Sequence, residues 1–242
     1  MRPASDQPIV IFGNSELGIW GLALGGEQPR LVLTGLNTAP NGIELQAGEL
    51  DREDDAIWTF TAGGNSLKIE RAQATTATAE SSSLEPVRVT GTASVNGEQR
   101  EIDIAGVLAG SQLDAKTESL RLVGSWFPAG HEVNLLAARP KGAKGQDKDA
   151  IEVAALGEKE AVVFDPRLST TYGGDGEPRR AGVELWIGAD EDGDQYPRRV
   201  AGVATGSAVR TTAGNLTLSA HALRCLSRGE AGTGVYVLLR VA

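Results

Sequence analysis

The sequence predicts an all-β protein built as two tandem antiparallel barrels or half-barrels, roughly sixteen strands in all, with almost no helix. Three observations carry this. Short runs of alternating apolar and polar residues recur almost from end to end, separated by Gly, Pro, Asn and Asp, which is the pattern of half-buried strands joined by tight turns. The number of runs is about twice what one small up-and-down barrel needs. The two halves of the chain also end alike, each in a strand, a turn and a second strand.

Taken in order, Arg30–Leu36, Ala56–Thr61, Val87–Val95, Ala181–Ile187 and Val235–Val241 show the period of two most clearly. Asp51–Ala56 is a charge cluster without an apolar stripe and reads as a turn. Val87–Leu108 is a hairpin about Asn96-Gly97, whose residues accept the positive φ of a type I′ turn. Leu216–Val241 repeats that design with a longer, looser turn over Ser227–Gly234. Between them Gly110–Ser119 is polar and aperiodic, which places a division after residue 112 and gives units 1–112 and 113–242.

The chain of 242 residues can bury a substantial core, and its formal charge of −9 disfavours nucleic acid or an anionic membrane face as partner. Cys225 is the single cysteine, so no internal disulfide is expected and the reading is cytoplasmic. The apolar stretch Ile9–Phe12 is too short for a signal-peptide core or a membrane span. The two histidines, His131 and His221, share no metal-ligand spacing. Gly13, Gly18, Gly21, Gly25 and Gly26 follow no nucleotide-binding pattern and are expected to bend strands. No metal and no cofactor is expected. Gly188–Tyr196 offers Asp190, Asp192 and Asp194, but a calcium loop starting at Asp190 would need Gly and Glu where Gln195 and Ala201 stand, so it reads as an acidic turn.

Two segments can carry chemistry. Alternation in Arg179–Ile187 puts Ala181, Val183, Leu185 and Ile187 on one face, and Arg180, Gly182, Glu184 and Trp186 on the other. The mixed face either meets solvent or lines a cavity; buried in a cavity, Glu184 would titrate high beside Trp186. In Ser125–Pro140 a turn at Ala129-Gly130 brings His131 back toward Trp126 and Phe127, where an imidazole can act as acid or base near neutral pH. Asp165–Tyr172 adds Tyr172, with Asp165 and Arg167 expected to make a structural contact. Cys225 reads as a buried small hydrophobe.

The segment GTASVNGEQREIDIAGVLAGSQL, followed by LRLVGSWFPAGHEVNLLAARP, resembles the junction between the two lipocalin-like barrels of the family that includes bacterial carotenoid 1,2-hydratases and related cyclase-like proteins. The shared features are the hairpin glycines Gly91 and Gly97 about Val95, the exit strand Ile102–Leu108, the aromatic strand at Trp126 and the return strand Asn134–Leu136. The resemblance implies two lipocalin-like barrels sharing a ligand cleft. Where members often carry a polar Arg-Asp-His-Ser-Trp-Gly-like motif, this chain has Val107–Gln112, so no catalytic residue is carried over.

Three functions are compatible with these features. One is binding of a lipophilic small molecule of isoprenoid, polyene or fatty-acid type in a barrel cleft, with Trp20, Trp58, Trp126, Trp186, Tyr172 and Arg180 as contacts. The second is a cofactor-independent hydratase or cyclase that uses Glu184 and His131 on a terpenoid or polyene. The third is a non-catalytic β protein that acts through partner surfaces.

Overall fold

The computed structural model describes residues 8–40, 43–53, 56–71, 77–78, 82–95, 97–111, 116–143, 150–156, 163–187, 197–213 and 215–241. Among them there is no α-helix, and none long and apolar enough to cross a membrane. The first sheet comprises β1 (Ile9–Asn14), β2 (Ile19–Leu24), β3 (Arg30–Gly35), β4 (Gln46–Ala47), β5 (Glu49–Arg52), β6 (Ile57–Ala62), β7 (Asn65–Arg71), β8 (Ala77–Thr78), β9 (Ser82–Val95) and β10 (Glu98–Ser111). The second comprises β11 (Thr117–Trp126), β12 (Glu132–Pro140), β13 (Ala150–Leu156), β14 (Val163–Tyr172), β15 (Pro178–Ile187), β16 (Pro197–Ala213), β17 (Leu216–Ser227) and β18 (Glu230–Val241).

Both sheets are antiparallel and nearly closed. Their orders are β4-β3-β2-β1-β10-β9-β7-β6-β5, with β8 beside β9, and β13-β12-β11-β18-β17-β16-β15-β14. Each barrel is thus sealed by pairing its first strand with its last, β1 with β10 and β11 with β18, and the remaining seam falls between strands adjacent in the chain. In the first barrel that seam is spanned by Gly48 alone. Its N–H donates to the Pro29 carbonyl at 3.0 Å, and a Cβ there would strike the Thr61 carbonyl on β6, so only glycine lets the two sheet edges approach.

Alternation along each strand feeds three separate apolar cores. Val10, Phe12, Leu31, Phe60 and Ile69 fill the first barrel. Val123, Leu135, Val183, Leu185, Cys225 and Tyr236 fill the second. The third core lies between the barrels and is made by the opposite faces of the sealing strands and of their neighbours β2 and β17: Ile11, Trp20, Leu22 and Val107 pack against Leu122, Trp126, Ala220, Val235 and Val237. Sealing strands packed on both faces explain why β11 and β18 are buried over most of their length. Trp20 Nε1 donates to Ser207 Oγ at 2.8 Å, and Ser207 in turn donates to the Gly35 carbonyl at 3.2 Å, which ties the two barrels together through buried polar groups.

Two local expectations are corrected. Asp51 and Arg52 belong to strand β5 and pair with Thr59 and Trp58, because cross-strand contacts outweigh the weak strand propensity of a charge cluster. The last hairpin is tight: Ser227 pairs with Glu230, and Arg228 and Gly229 carry φ of 53° and 80°. Its loop is two residues with both φ positive, as in a type I′ turn, and an arginine in the first position hid it.

Candidate functional site

The strands that seal the second barrel also build its most distinctive polar site. Thr233 on β18, Trp126 on β11 and Glu132 on β12 are register partners in one row, and Val235, Gly124 and Asn134 form the next. Alternation turns Glu132, Asn134 and Leu136 toward the first barrel, since Leu136 lies in the inter-barrel core while Val133, Leu135 and Ala137 lie inside the second. Gly124 makes room. A Cβ there would stand 2.8 Å from the Trp126 ring and 2.9 Å from Ile11, so the indole occupies space that only glycine leaves open. Gly13 on β1 closes the opposite wall, where a Cβ would stand 2.7 Å from Thr233 and 3.6 Å from Trp126.

Within this cluster the polar groups are not matched to one another. Asn134 and Thr233 are both 0% exposed, yet Asn134 Oδ1 and Thr233 Oγ1 have no hydrogen-bond partner. Buried polar atoms are normally satisfied, so this pair departs from the usual matching. Asn134 Nδ2 approaches Glu132 Oε2 at 3.5 Å. Burial pushes the Glu132 carboxyl up to about 7, against the opposing pull of Asn134 and of the Trp126 indole. The indole N–H faces that carboxyl without making a hydrogen bond of ordinary geometry. A carboxyl with this pKa is protonated in a large share of molecules at neutral pH and can give up its proton there.

The residues singled out from the sequence are distributed as follows. His131 precedes Glu132 and stacks on Phe127, with ring centroids 4.2 Å apart and planes 5° apart. Its Nδ1 lies 3.4 Å from Glu230. Glu184 and Trp186 do meet, the indole donating to Glu184 Oε1 at 2.8 Å, but on the outer face of β15. Arg199 at 2.8 Å and Arg167 at 3.7 Å complete an ion-paired row, and the Arg199 hydrogen bond, with Trp186 and Arg167, holds the Glu184 carboxyl below its ordinary range. That row borders a groove of about 750 Å³ shared by β14, β15, β16 and the β17–β18 turn. Each member of the Glu184–His131 pair therefore has its own partner.

Trp20 and Trp126 both lie in the inter-barrel core. Trp58 lies inside the first barrel with the Arg52 and Arg71 guanidinium groups 4.9 and 5.7 Å from its ring. Arg180 is exposed on the outer face of β15. Tyr172 lines a cavity at one end of the second barrel. Cys225 is buried and its thiol is pushed up to about 12 by burial. The acidic segment 188–196 lies outside the described residues, and among those described no three His, Cys, Asp or Glu side chains cluster as metal ligands.

Sequence reading passed over Glu132 and a second buried group, Glu177 with His221. Glu177 sits at the end of the β14–β15 turn, where the Gly173 N–H bonds back to its carbonyl at 2.8 Å. The turn directs its carboxylate toward β17, where Oε2 meets His221 Nε2 at 2.7 Å, with Arg210 at 3.0 Å and Arg240 at 3.6 Å from Oε1. Tyr236, the register partner of His221, joins Thr170 Oγ1 at 3.0 Å. The one signal for Glu132 in the sequence is that it opens the largely apolar stretch Val133–Ala138, interrupted by Asn134.

No protein-family profile and no curated protein matches this sequence. Solved structures do. CghA with Sch210972 aligns with a TM-score of 0.58 at 10% identity, covering 99% of this chain and 89% of that one. Kievitone hydratase from Nectria haematococca aligns with a TM-score of 0.58 at 9% identity, covering 97% and 87%. At such identity the likeness establishes the fold: this chain shares, along nearly its whole described length, the two-barrel architecture of those proteins.

Proposed function

We propose that the protein is a cofactor-independent hydratase or cyclase that acts on a lipophilic small molecule at the polar cluster between its barrels, with Glu132 as general acid. The carrying observation is the Glu132 carboxyl, raised to about 7 by burial beside Trp126 and two unmatched polar atoms. Acid-initiated hydration needs a proton donor effective near neutral pH, an apolar enclosure and an aromatic face for the cation that forms. Glu132 supplies the first, the inter-barrel core the second and the Trp126 indole the third. Protonation of a carbon–carbon double bond by Glu132 leaves a carbocation and a carboxylate. Water held by Asn134 Oδ1 adds to the cation, and its proton returns to Glu132. Capture by a second double bond of the same substrate gives cyclisation, with the proton returned from the adjacent carbon. The kinship in fold to a hydratase supports this reading, while fold alone assigns no chemistry.

The test is turnover of polyenes, terpenoids and unsaturated fatty acids by the wild type, Glu132→Gln and Trp126→Phe, with binding followed by tryptophan fluorescence. Turnover should vanish in Glu132→Gln while binding persists, since an acid that acts in the transition state governs rate more than affinity. Binding without turnover in any form would reduce the protein to a carrier of such a molecule. Turnover unaffected by Glu132→Gln would move the acid elsewhere, with Glu184 and His131 next to be replaced.

A further inference from the structure

The outer face of the second barrel carries a groove of about 750 Å³, a volume within the range of small-molecule sites. Its floor is one row of register partners: Ser169 on β14, Gly182 on β15, Ala201 on β16 and Leu226 on β17. Alternation turns this row outward, since Val183, Val200 and Cys225 beside it fill the barrel core. Gly182 keeps the floor low, because a Cβ there would stand 2.6 Å from Ser169 Oγ. Leu226 ends the row and is 53% exposed, a large apolar side chain that its neighbours leave uncovered. Strands about 4.8 Å apart give the row a length of about 14 Å.

The next outward row is Arg167, Glu184 and Arg199. Arg199 reaches the β17–β18 turn, where Ser227 Oγ donates to its carbonyl at 2.8 Å, and Arg228 of that turn lines the same groove. Among the described residues Glu184 is the one carboxylate along the groove, and both its oxygens are engaged, Oε1 by the Trp186 indole and Oε2 by Arg199 Nε, each at 2.8 Å. Arg167 is held by Asp165 at 2.6 Å. Arg228 has no ion-pair partner among the described residues. It is also costly where it stands: its φ of 53° is a conformation that glycine adopts freely, and its charge lies one strand from that of Arg199, where like charges repel. Strained residues of this kind cluster at functional sites. We infer that the groove binds a soluble phosphomonoester with a short apolar body, its phosphoryl group between Arg199 and Arg228 and its body along Ala201 and Leu226. Such a phosphoryl group carries nearly two negative charges at neutral pH and three terminal oxygens, enough to accept from both guanidinium groups, whereas a single fork satisfies a carboxylate. A phospholipid headgroup offers the same chemistry, but a bilayer of such lipids repels a chain of charge −9.

The groove faces outward from β14–β17, whereas Glu132 on β12 faces the first barrel, so this site does not rest on the chemistry proposed for Glu132. The experiment is calorimetric titration of the full chain at low salt and about pH 7.5, where the esters are largely dianions, with phenyl phosphate and hexyl phosphate against benzoate, hexanoate and inorganic phosphate. Both esters should bind roughly 10-fold or more tightly than the carboxylates and than inorganic phosphate. Arg228→Gly should weaken the esters by roughly 10-fold or more while the urea midpoint holds or rises, which separates lost binding from lost fold. Leu226→Ser should weaken hexyl phosphate and leave inorganic phosphate as in the wild type. Glu132→Gln should bind both esters as the wild type does, even where it has lost turnover. No saturable binding of either ester, equal affinity for hexyl phosphate and hexanoate, full ester affinity in Arg228→Gly or in Leu226→Ser, or flotation with phosphatidic acid vesicles in place of ester binding would each overturn the assignment.

Discussion

Glu177 Oε2 and His221 Nε2 stand 2.7 Å apart inside the second barrel, each residue 4% exposed, so that a turn between two strands is anchored to the middle of a third. Burial pushes the Glu177 carboxyl up, but His221, Ser219 and Arg210 together outweigh it, and its pKa ends below the ordinary value. Loss of water lowers the His221 pKa in spite of Glu177. The pair is therefore a carboxylate and a neutral imidazole at neutral pH, with Nε2–H donating to Glu177. Glu177→Gln, which removes the charged acceptor of the buried His221 while Arg210 and Arg240 stay partly in water, should cost about 1 to 3 kcal/mol in urea unfolding at pH 7. Because both groups bind protons less readily folded than unfolded, their contribution is present above their unfolded pKa values and is lost as pH falls through the folded ones. The difference between wild type and Glu177→Gln should shrink only as pH falls below the ordinary glutamate value of 4.5 and on through the lower folded one. A difference still constant at about pH 2 would contradict the assignment.

Glu132 has the reverse linkage. Its folded pKa of about 7 exceeds the ordinary 4.5, so the folded protein holds the proton more tightly than the unfolded chain. The stability this provides is fully present below the unfolded value and is lost as pH rises through 7. Between those limits the effect amounts to at most about 3 kcal/mol. Glu132→Gln should flatten the stability profile from pH 4.5 to 7 and raise stability at pH 8. Catalysis that needs the protonated acid should decline above about pH 7 for the same reason. Carboxyl titration followed by NMR measures the pKa directly, and a value near 4.5 would remove both expectations.

Arg228 has a φ of 53° in a turn that glycine or asparagine accepts more readily. Replacing it with glycine should stabilise the β17–β18 hairpin by about 1 kcal/mol, read as a rise in urea midpoint with unchanged slope. Asparagine should act in the same direction. A fall in midpoint for both would mean that the arginine side chain contributes more than its backbone costs.

Gly21 on β2 lies where a methyl group would run into the Phe12 ring and stand 2.9 Å from the Val32 carbonyl oxygen. Gly21→Ala should therefore destabilise the protein by about 1 to 3 kcal/mol or more, since Phe12 has no free volume in which to turn. Pairing it with Phe12→Leu should restore part of the loss. Thermal unfolding of the two single variants and the double variant tests this coupling.

Much of the architecture was legible because a strand writes its own period into the chain. Ala181, Val183 and Leu185 turn inward and Arg180, Glu184 and Trp186 outward as their alternation requires. The Val95–Glu98 pairing follows from the Asn-Gly turn chemistry. The second hairpin was misread in length because Arg228 disguises a turn position. What only the tertiary structure decided is which of two faces meets which surroundings. Period two separates faces without naming them, so the mixed face of β15 went to the outer surface and Glu184 to Arg199, while Glu132 was carried between two barrels. Trp20 on β2 and Trp126 on β11 are about a hundred residues apart in the chain and share one core because the sealing strands and their neighbours present their outer faces to each other. Glu177 lies in a turn, where a sequence reading expects solvent, and its burial depends on strands whose approach no local pattern encodes.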